Sequence, residues 1–233
     1  MDTQTRHALK QDRLVETAQV SLGWLQEHRA AAIRTAIAAV VLLAALVAGL
    51  VVYFHRSSTA ESAFGQAMDT YNTPLAQPGQ PKPPGETTFP TAALRAKAAN
   101  QQFVEIANRY GMLRAGRNAR YFAGLTAMDM GQTGAAESYL QGVANSHDRE
   151  LASLAKLALA SLYRQTNRND LAVSLYKQLI AKPTTTVPAN SAQLQLAALY
   201  EITNPAEAKR IYAQLKNDKS AAGQIAAQKL GQP

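Results

Sequence analysis

ALASLYRQTNRNDLAVSLYKQL, residues 158–179, lies over LQLAALYEITNPAEAKRIYAQL, residues 194–215, and this alignment decides the fold. Both carry L-A-x-L-Y-x-x-T-N, then an alanine, then Y-x-Q-L. Tyr163 maps to Tyr200 and Tyr176 to Tyr212, offsets of 37 and 36 residues. A more diverged copy, YFAGLTAMDMGQTGAAESYLQGV, occupies residues 121–143. Repetition at such a period marks a supersecondary unit that buries its apolar face only by stacking on its neighbours. Each copy reads as a helix, a short turn holding Gly131, Asn167 or Asn204, and a second helix. Small residues (Gly124, Ala136, Ala160, Ala172, Ala197, Ala208) let the paired helices approach closely. Large ones (Leu140, Tyr163, Tyr176, Tyr200, Tyr212) fill the space between units.

Working outward, three units fall at about 114–148, 150–184 and 188–218, and residues 220–230 form a terminal capping helix. Upstream, a split unit is expected. Its first helix covers 57–71, capped by Ser58 or Thr59, with Ala63, Phe64, Ala67, Met68 and Tyr71 inward. Its second covers 91–110, with Leu94, Ala98 or Ala99, Phe103, Ile106 and Ala107 inward. Between them PLAQPGQPKPPGETTFP, residues 74–90, holds six of the ten prolines and reads as a partly polyproline-II loop.

Further upstream TAIAAVVLLAALVAGLVVYF, residues 35–54, carries no charge and no proline. A helix of that length spans about 30 Å, the thickness of a bilayer's hydrocarbon core. Tyr53 and Phe54 suit the headgroup boundary, with Arg56 just beyond. Arg6, Lys10, Arg13, Arg29 and Arg34 precede the apolar run, and after it only Arg56 is close, the next basic residue being Lys82. Basic residues resist translocation, so the N-terminal side is expected in the cytoplasm and the domain at 57–233 outside. Cleavage at Ser58-Thr59-Ala60 is the alternative. The long polar tail and the 20-residue run exceed signal-peptide lengths and favour an uncleaved anchor. The tail, residues 1–34, has an amphipathic face of Leu14, Ala18, Ser21, Leu22 and Leu25, with Trp24 beside it. Such a face suits the inner leaflet, Trp24 at the interface and Arg29 near phosphates, or a docked partner. The architecture is all-α: one N-terminal transmembrane helix followed by an α-solenoid.

The chain of 233 residues has no cysteine, which excludes disulfides, thiolate catalysis and Cys-ligated metals. Of its four histidines, His7, His28 and His55 lie in the tail or at the membrane edge, and His147 sits in a polar turn. No nucleophile–base pair or zinc set emerges, the stretch from Gly111 to Gly116 lacks a P-loop's Lys-Ser/Thr, and no cofactor or enzyme activity is expected. The formal charge is +8, a surplus that favours acidic partners or anionic headgroups. Arg109, Arg114, Arg117 and Arg120 concentrate part of it. Nucleic acid is not expected, since no basic stripe with a reading element appears.

The unit resembles the tetratricopeptide repeat. The resemblance rests on Leu159-Ala160, Tyr163, Ala172 and Tyr176, and again on Leu196-Ala197, Tyr200, Ala208 and Tyr212. The aromatic opening position is replaced by Arg120 and Lys156, and the closing proline is displaced to Pro183. With the tail, the anchor and FVEIANRYG at residues 103–111, the layout looks like the ancillary SecYEG translocon subunit family of bacterial inner membranes. That resemblance implies an inner-membrane protein with a periplasmic domain, contacting translocon subunits and periplasmic chaperones or exported clients. In a solenoid the first helix of each unit lines the concave face. Here that face includes Asn118, Tyr121, Leu125, Met128, Arg164, Gln165 and Glu201, a mixture suited to an extended segment or helix of another protein. For Leu125 and Met128, packing between units is an equal alternative. The competing function is an envelope regulator whose tail holds a cytoplasmic factor while its repeats sense a signal outside.

Overall fold

The computed structural model describes residues 29–76 and 87–231. Within them the chain is helical, and the only β-type pairing is an isolated bridge between Leu75 and Phe89. The helices are α1 (Arg29–Asn72), α2 (Ala92–Arg109), α3 (Arg114–Asp129), α4 (Thr133–Ala144), α5 (Arg149–Gln165), α6 (Asn169–Ala181), α7 (Ala189–Thr203), α8 (Pro205–Leu215) and α9 (Ala221–Gly231). The chain divides into two compact units, Met1–Arg56 and Ser57–Pro233.

In the first unit, α1 is long and apolar enough to cross a membrane, and none of its apolar window is buried within the chain. A core helix of a soluble domain would be mostly covered. Val40, Leu43, Leu46, Val47 and Leu50 are all exposed. The helix is already formed at Arg29, and it does not stop at Phe54. The separate helix capped by Ser58 or Thr59 is therefore corrected: both residues lie inside α1. No proline or glycine falls between Gly49 and Gly65, so nothing there withdraws a backbone donor or favours a break.

In the second unit each helix from α2 onward packs chiefly against the helices next to it in sequence, and α3 also touches α5. Two apolar clusters result. One joins Ala60 and Ala67 of α1 with Phe103, Ile106, Ala115, Ala119 and Ala123. The other runs from Ala127 to Ala226 through Leu140, Leu159, Tyr163, Tyr176, Leu196 and Tyr212. Helix α3 serves both. Its buried positions are Ala115, Gly116, Ala119, Ala123, Gly124, Thr126 and Ala127, and no large side chain is among them. That lets neighbouring helices come close on either side. A Cβ on Gly124 would lie 2.7 Å from Leu140 Cγ, the small-against-large pairing the repeat requires. Thr126, fully buried, donates to the Phe122 carbonyl at 2.8 Å and accepts from Asn100 Nδ2 at 2.9 Å.

On α2, Ala96, Ala99, Phe103, Ile106 and Ala107 are buried, but Leu94 is not: it remains 49 % exposed, which corrects its expected inward position. Five residues before Ala99, it is rotated about 140° from the buried stripe at 100° per residue. The proline-rich segment closes at its base, where the Ala76 N–H donates to the Phe89 carbonyl at 2.8 Å and the Phe89 N–H to the Pro74 carbonyl at 3.0 Å. Residues 77–86 lie outside the described part.

The three turns within pairs are not alike. Gly131 (φ 71°) and Asn167 (φ 57°) are left-handed, as glycine and asparagine permit. Asn204 is extended (φ −156°), and its side chain accepts from the Glu207 N–H to cap α8, which begins at Pro205. Proline holds the residue before it out of the helical region. The turn from α7 to α8 is two residues shorter than that from α5 to α6, and α7 runs one residue further past Tyr200 than α5 does past Tyr163, so the repeat offset falls from 37 to 36. We expect Gly131→Ala and Asn167→Ala each to lower stability by about 1 kcal/mol. Asn204→Ala costs a similar amount through the lost cap. Serine separates the causes: it restores the cap at 204 and does not relieve the strain at 167, read from urea midpoints.

Candidate functional site

Asn118, Tyr121, Leu125 and Met128 recur at three- and four-residue spacing, so they share one face of α3. All four are partly covered. Met128 and Tyr121 pack against the larger apolar cluster, so both contribute to the interior as well as to the surface. The Tyr121 ring meets Phe122 edge-on at 5.4 Å between centroids. Burial, with the nearby Tyr71 phenol adding to it, pushes the Tyr121 hydroxyl above its ordinary pKa. Arg164 and Gln165 end α5; Gln165 is exposed and its amide reaches Ser161 Oγ at 3.5 Å.

Glu201 is committed elsewhere. It accepts from the Tyr212 hydroxyl at 2.9 Å and pairs with Lys229 of α9 at 3.0 Å. The Lys229 ammonium holds its carboxyl below the usual range, with burial opposing and the Tyr212 hydroxyl adding to the lowering. Burial and the bond to Glu201 in turn push the Tyr212 phenol up. Glu201 thus ties α7 to α8 and to α9.

A parallel lock, which sequence reasoning missed, joins α4 to α5. The Tyr163 hydroxyl donates to Glu137 Oε1 at 2.9 Å, and Gln141 Nε2 donates to that hydroxyl at 3.2 Å. Arg168 pairs with Glu137 at 2.8 Å, and its guanidinium lies 4.4 Å from the Tyr163 ring centroid. A signal was present: a buried tyrosine hydroxyl needs a partner, and Glu137 with Gln141 stand one turn apart on the facing helix. Burial raises the Glu137 pKa, but hydrogen bonds from Arg168 and Tyr163 outweigh it and leave the carboxyl below its ordinary value. A depressed folded pKa stabilises above the unfolded value of about 4.3, and that contribution is lost as pH falls through the folded value. Glu137→Gln should therefore flatten the loss of melting temperature below about pH 4. A double-mutant cycle with Arg168→Leu should return a coupling of about 0.5–1 kcal/mol.

Two of the four arginines expected near the first unit make local contacts. Arg109 lies 5.5 Å from the Tyr110 ring centroid, and Arg117 donates to the Met112 carbonyl at 2.7 Å. Asp148 and Glu150, which flank Arg149, also have structural work. Asp148 caps α5 by accepting from the Leu151 N–H at 3.1 Å. The Glu150 carboxylate accepts from the Thr186 N–H and hydroxyl, both at 2.9 Å, and so fastens the α6–α7 loop. His147 is exposed.

Of the membrane-boundary residues, Arg29, Arg34, Tyr53, Phe54 and Arg56 all lie on α1 and are exposed. The Tyr53 and Phe54 rings meet edge-on at 5.7 Å. Trp24 and the amphipathic face of the tail (Leu14, Ala18, Ser21, Leu22 and Leu25) lie outside the described residues. Comparison of the chain with protein-family models, curated proteins and solved structures found no match.

Proposed function

We propose that this protein is a non-enzymatic, membrane-anchored scaffold for protein–protein contacts, with a tetratricopeptide-like repeat domain outside the bacterial inner membrane. The observation that carries the reading is one chain joining a membrane-length apolar helix to consecutive, sequence-related helix pairs. The excess of basic residues before the apolar run supports a cytoplasmic N-terminus and a periplasmic repeat domain. Stacked pairs of this kind present the first helices, α3, α5 and α7, along one binding face. The partners in this reading are translocon subunits beside the anchor, and periplasmic chaperones or exported clients on the repeats.

Photo-crosslinking in intact cells, with probes at Trp24, Tyr53 and Gln165, tests it. Gln165 is the better reporter of the repeat face because Tyr121 is tucked against the core. Translocon subunits at Tyr53 and exported proteins or chaperones at Gln165 are the expected products. A soluble cytoplasmic protein at Trp24 with nothing from the export machinery would overturn the scaffold in favour of a regulator.

A further inference from the structure

A cleft of about 560 Å³ opens between the end of α4, the first half of α5 and the end of α6, and none of the candidate-face residues lines it. Its walls carry Arg149, Lys156 and Lys182 and no acidic side chain. Among the described residues none of these three cations makes an ion pair. The two acids flanking Arg149 in sequence are engaged, Asp148 at the α5 cap and Glu150 on the α6–α7 loop. The same cleft is lined by Ser146, whose buried hydroxyl has no hydrogen-bond partner. A buried polar group is normally satisfied, and this hydroxyl is left without a partner on a wall that also carries three unpaired cations. Leu179 and Ala152 supply an apolar floor.

We propose that this cleft binds an acidic, extended segment of another protein through its carboxylates. Arg149 and Lys156 stand seven residues apart on α5, about 10 Å along its axis. Lys182 sits across from them at the end of α6. A single phosphate is best held by converging backbone amides or by forked arginines. Here the cations are spread over two helices and two of the three are lysines, which suits several carboxylates along a chain. A flat bilayer does not follow a concavity lined from two helices, whereas an extended chain can lie within it. The occupant's being a protein rests on the scaffold reading; the cleft's charge and its orphaned hydroxyl do not.

The test uses the full chain in nonionic detergent and a fluorescent nonapeptide alternating glutamate with alanine, followed by anisotropy. Saturable binding is expected, weakening as salt rises and absent for the glutamine isostere. Lys156→Glu with Lys182→Glu should weaken it by about tenfold or more. Lys209→Glu with Lys216→Glu changes the net charge equally, on exposed positions away from the cleft, and should leave affinity unchanged. Thermal melts of both doubles establish that they fold. No binding, equal loss in the control double, displacement by millimolar phosphate, or preference for phosphatidylglycerol vesicles would each overturn the proposal. Peptide binding lost while the cellular crosslinks persist removes the cleft alone; crosslinks lost while peptide still binds removes the scaffold and leaves the cleft.

Discussion

Gly116→Ala is expected to destabilise the repeat domain by about 3 kcal/mol or to prevent its folding. A Cβ at this position would overlap the Tyr110 carbonyl and would sit 2.7 Å from the Gly111 nitrogen. Both are backbone atoms, so no rotamer change relieves the clash. They are also held: the Tyr110 N–H donates to the Ile106 carbonyl at 2.9 Å, and the Tyr110 carbonyl accepts from the Leu113 N–H at 2.8 Å. Moving them disturbs the connection between α2 and α3. Gly142→Ala is the contrasting case. It lies inside α4, the nearest atom to its added Cβ is Arg120 Cδ at 3.8 Å, and the gain in helix propensity should raise stability by about 0.5–1 kcal/mol. Urea midpoints of the two variants should move in opposite directions; a small shift for Gly116→Ala would mean that the two helices are not packed backbone to backbone.

Phe103→Ala should cost about 3–5 kcal/mol. Phe103 is fully buried and its ring centroid lies 5.3 Å from Phe122, 5.8 Å from Phe64 and 6.2 Å from Tyr71. These rings come from α1, α2 and α3, so one deletion loosens three helices together. The surrounding rings are large and cannot collapse into the space, which places the cost toward the upper end. Phe103→Leu keeps most of the volume and should cost less than half as much. If the two variants melt together, the aromatic group is not what holds these helices.

The repeat pattern was legible because its signal is local. Ala160, Ala172 and Tyr176 recur in the next copy, and all three are buried as the small-and-large alternation requires. Other features depend on what meets what across the fold. Gly116 looks like any helical glycine until the Tyr110 carbonyl is placed against it. Leu94 has the hydrophobicity of an inward residue, yet it lies off the stripe that Phe103 and Ile106 define. Asn167 and Asn204 occupy the same place in the repeat and use opposite conformations, because Pro205 follows only the second. The continuity of α1 through Ser58 and Thr59 was hidden for another reason: residues that cap a helix are tolerated within one, and only a true breaker forces an end. On the candidate face, spacing located Tyr121 and Met128 on one side of α3. It gave no sign that Glu201 was already claimed by Tyr212 and Lys229, since those partners are 11 and 28 residues away.

The Glu150 clamp reaches beyond statics. The loop it fastens carries three consecutive threonines, is largely exposed, and would be an obvious point of attack for a protease if exposure alone governed cleavage. Its backbone is instead held from both sides. Glu150 bonds Thr186 through backbone and hydroxyl, the Thr184 N–H donates to the Val187 carbonyl at 3.1 Å, and Val187 is 1 % exposed. Cleavage must wait for these to open together, so the loop's survival is governed by an opening equilibrium rather than by its accessibility. Those bonds hold the Glu150 carboxyl below its ordinary pKa. The latch is therefore strongest with the carboxylate ionised and weakens as pH falls through the depressed value, so limited proteolysis is expected to nick this loop faster in acid than at neutral pH.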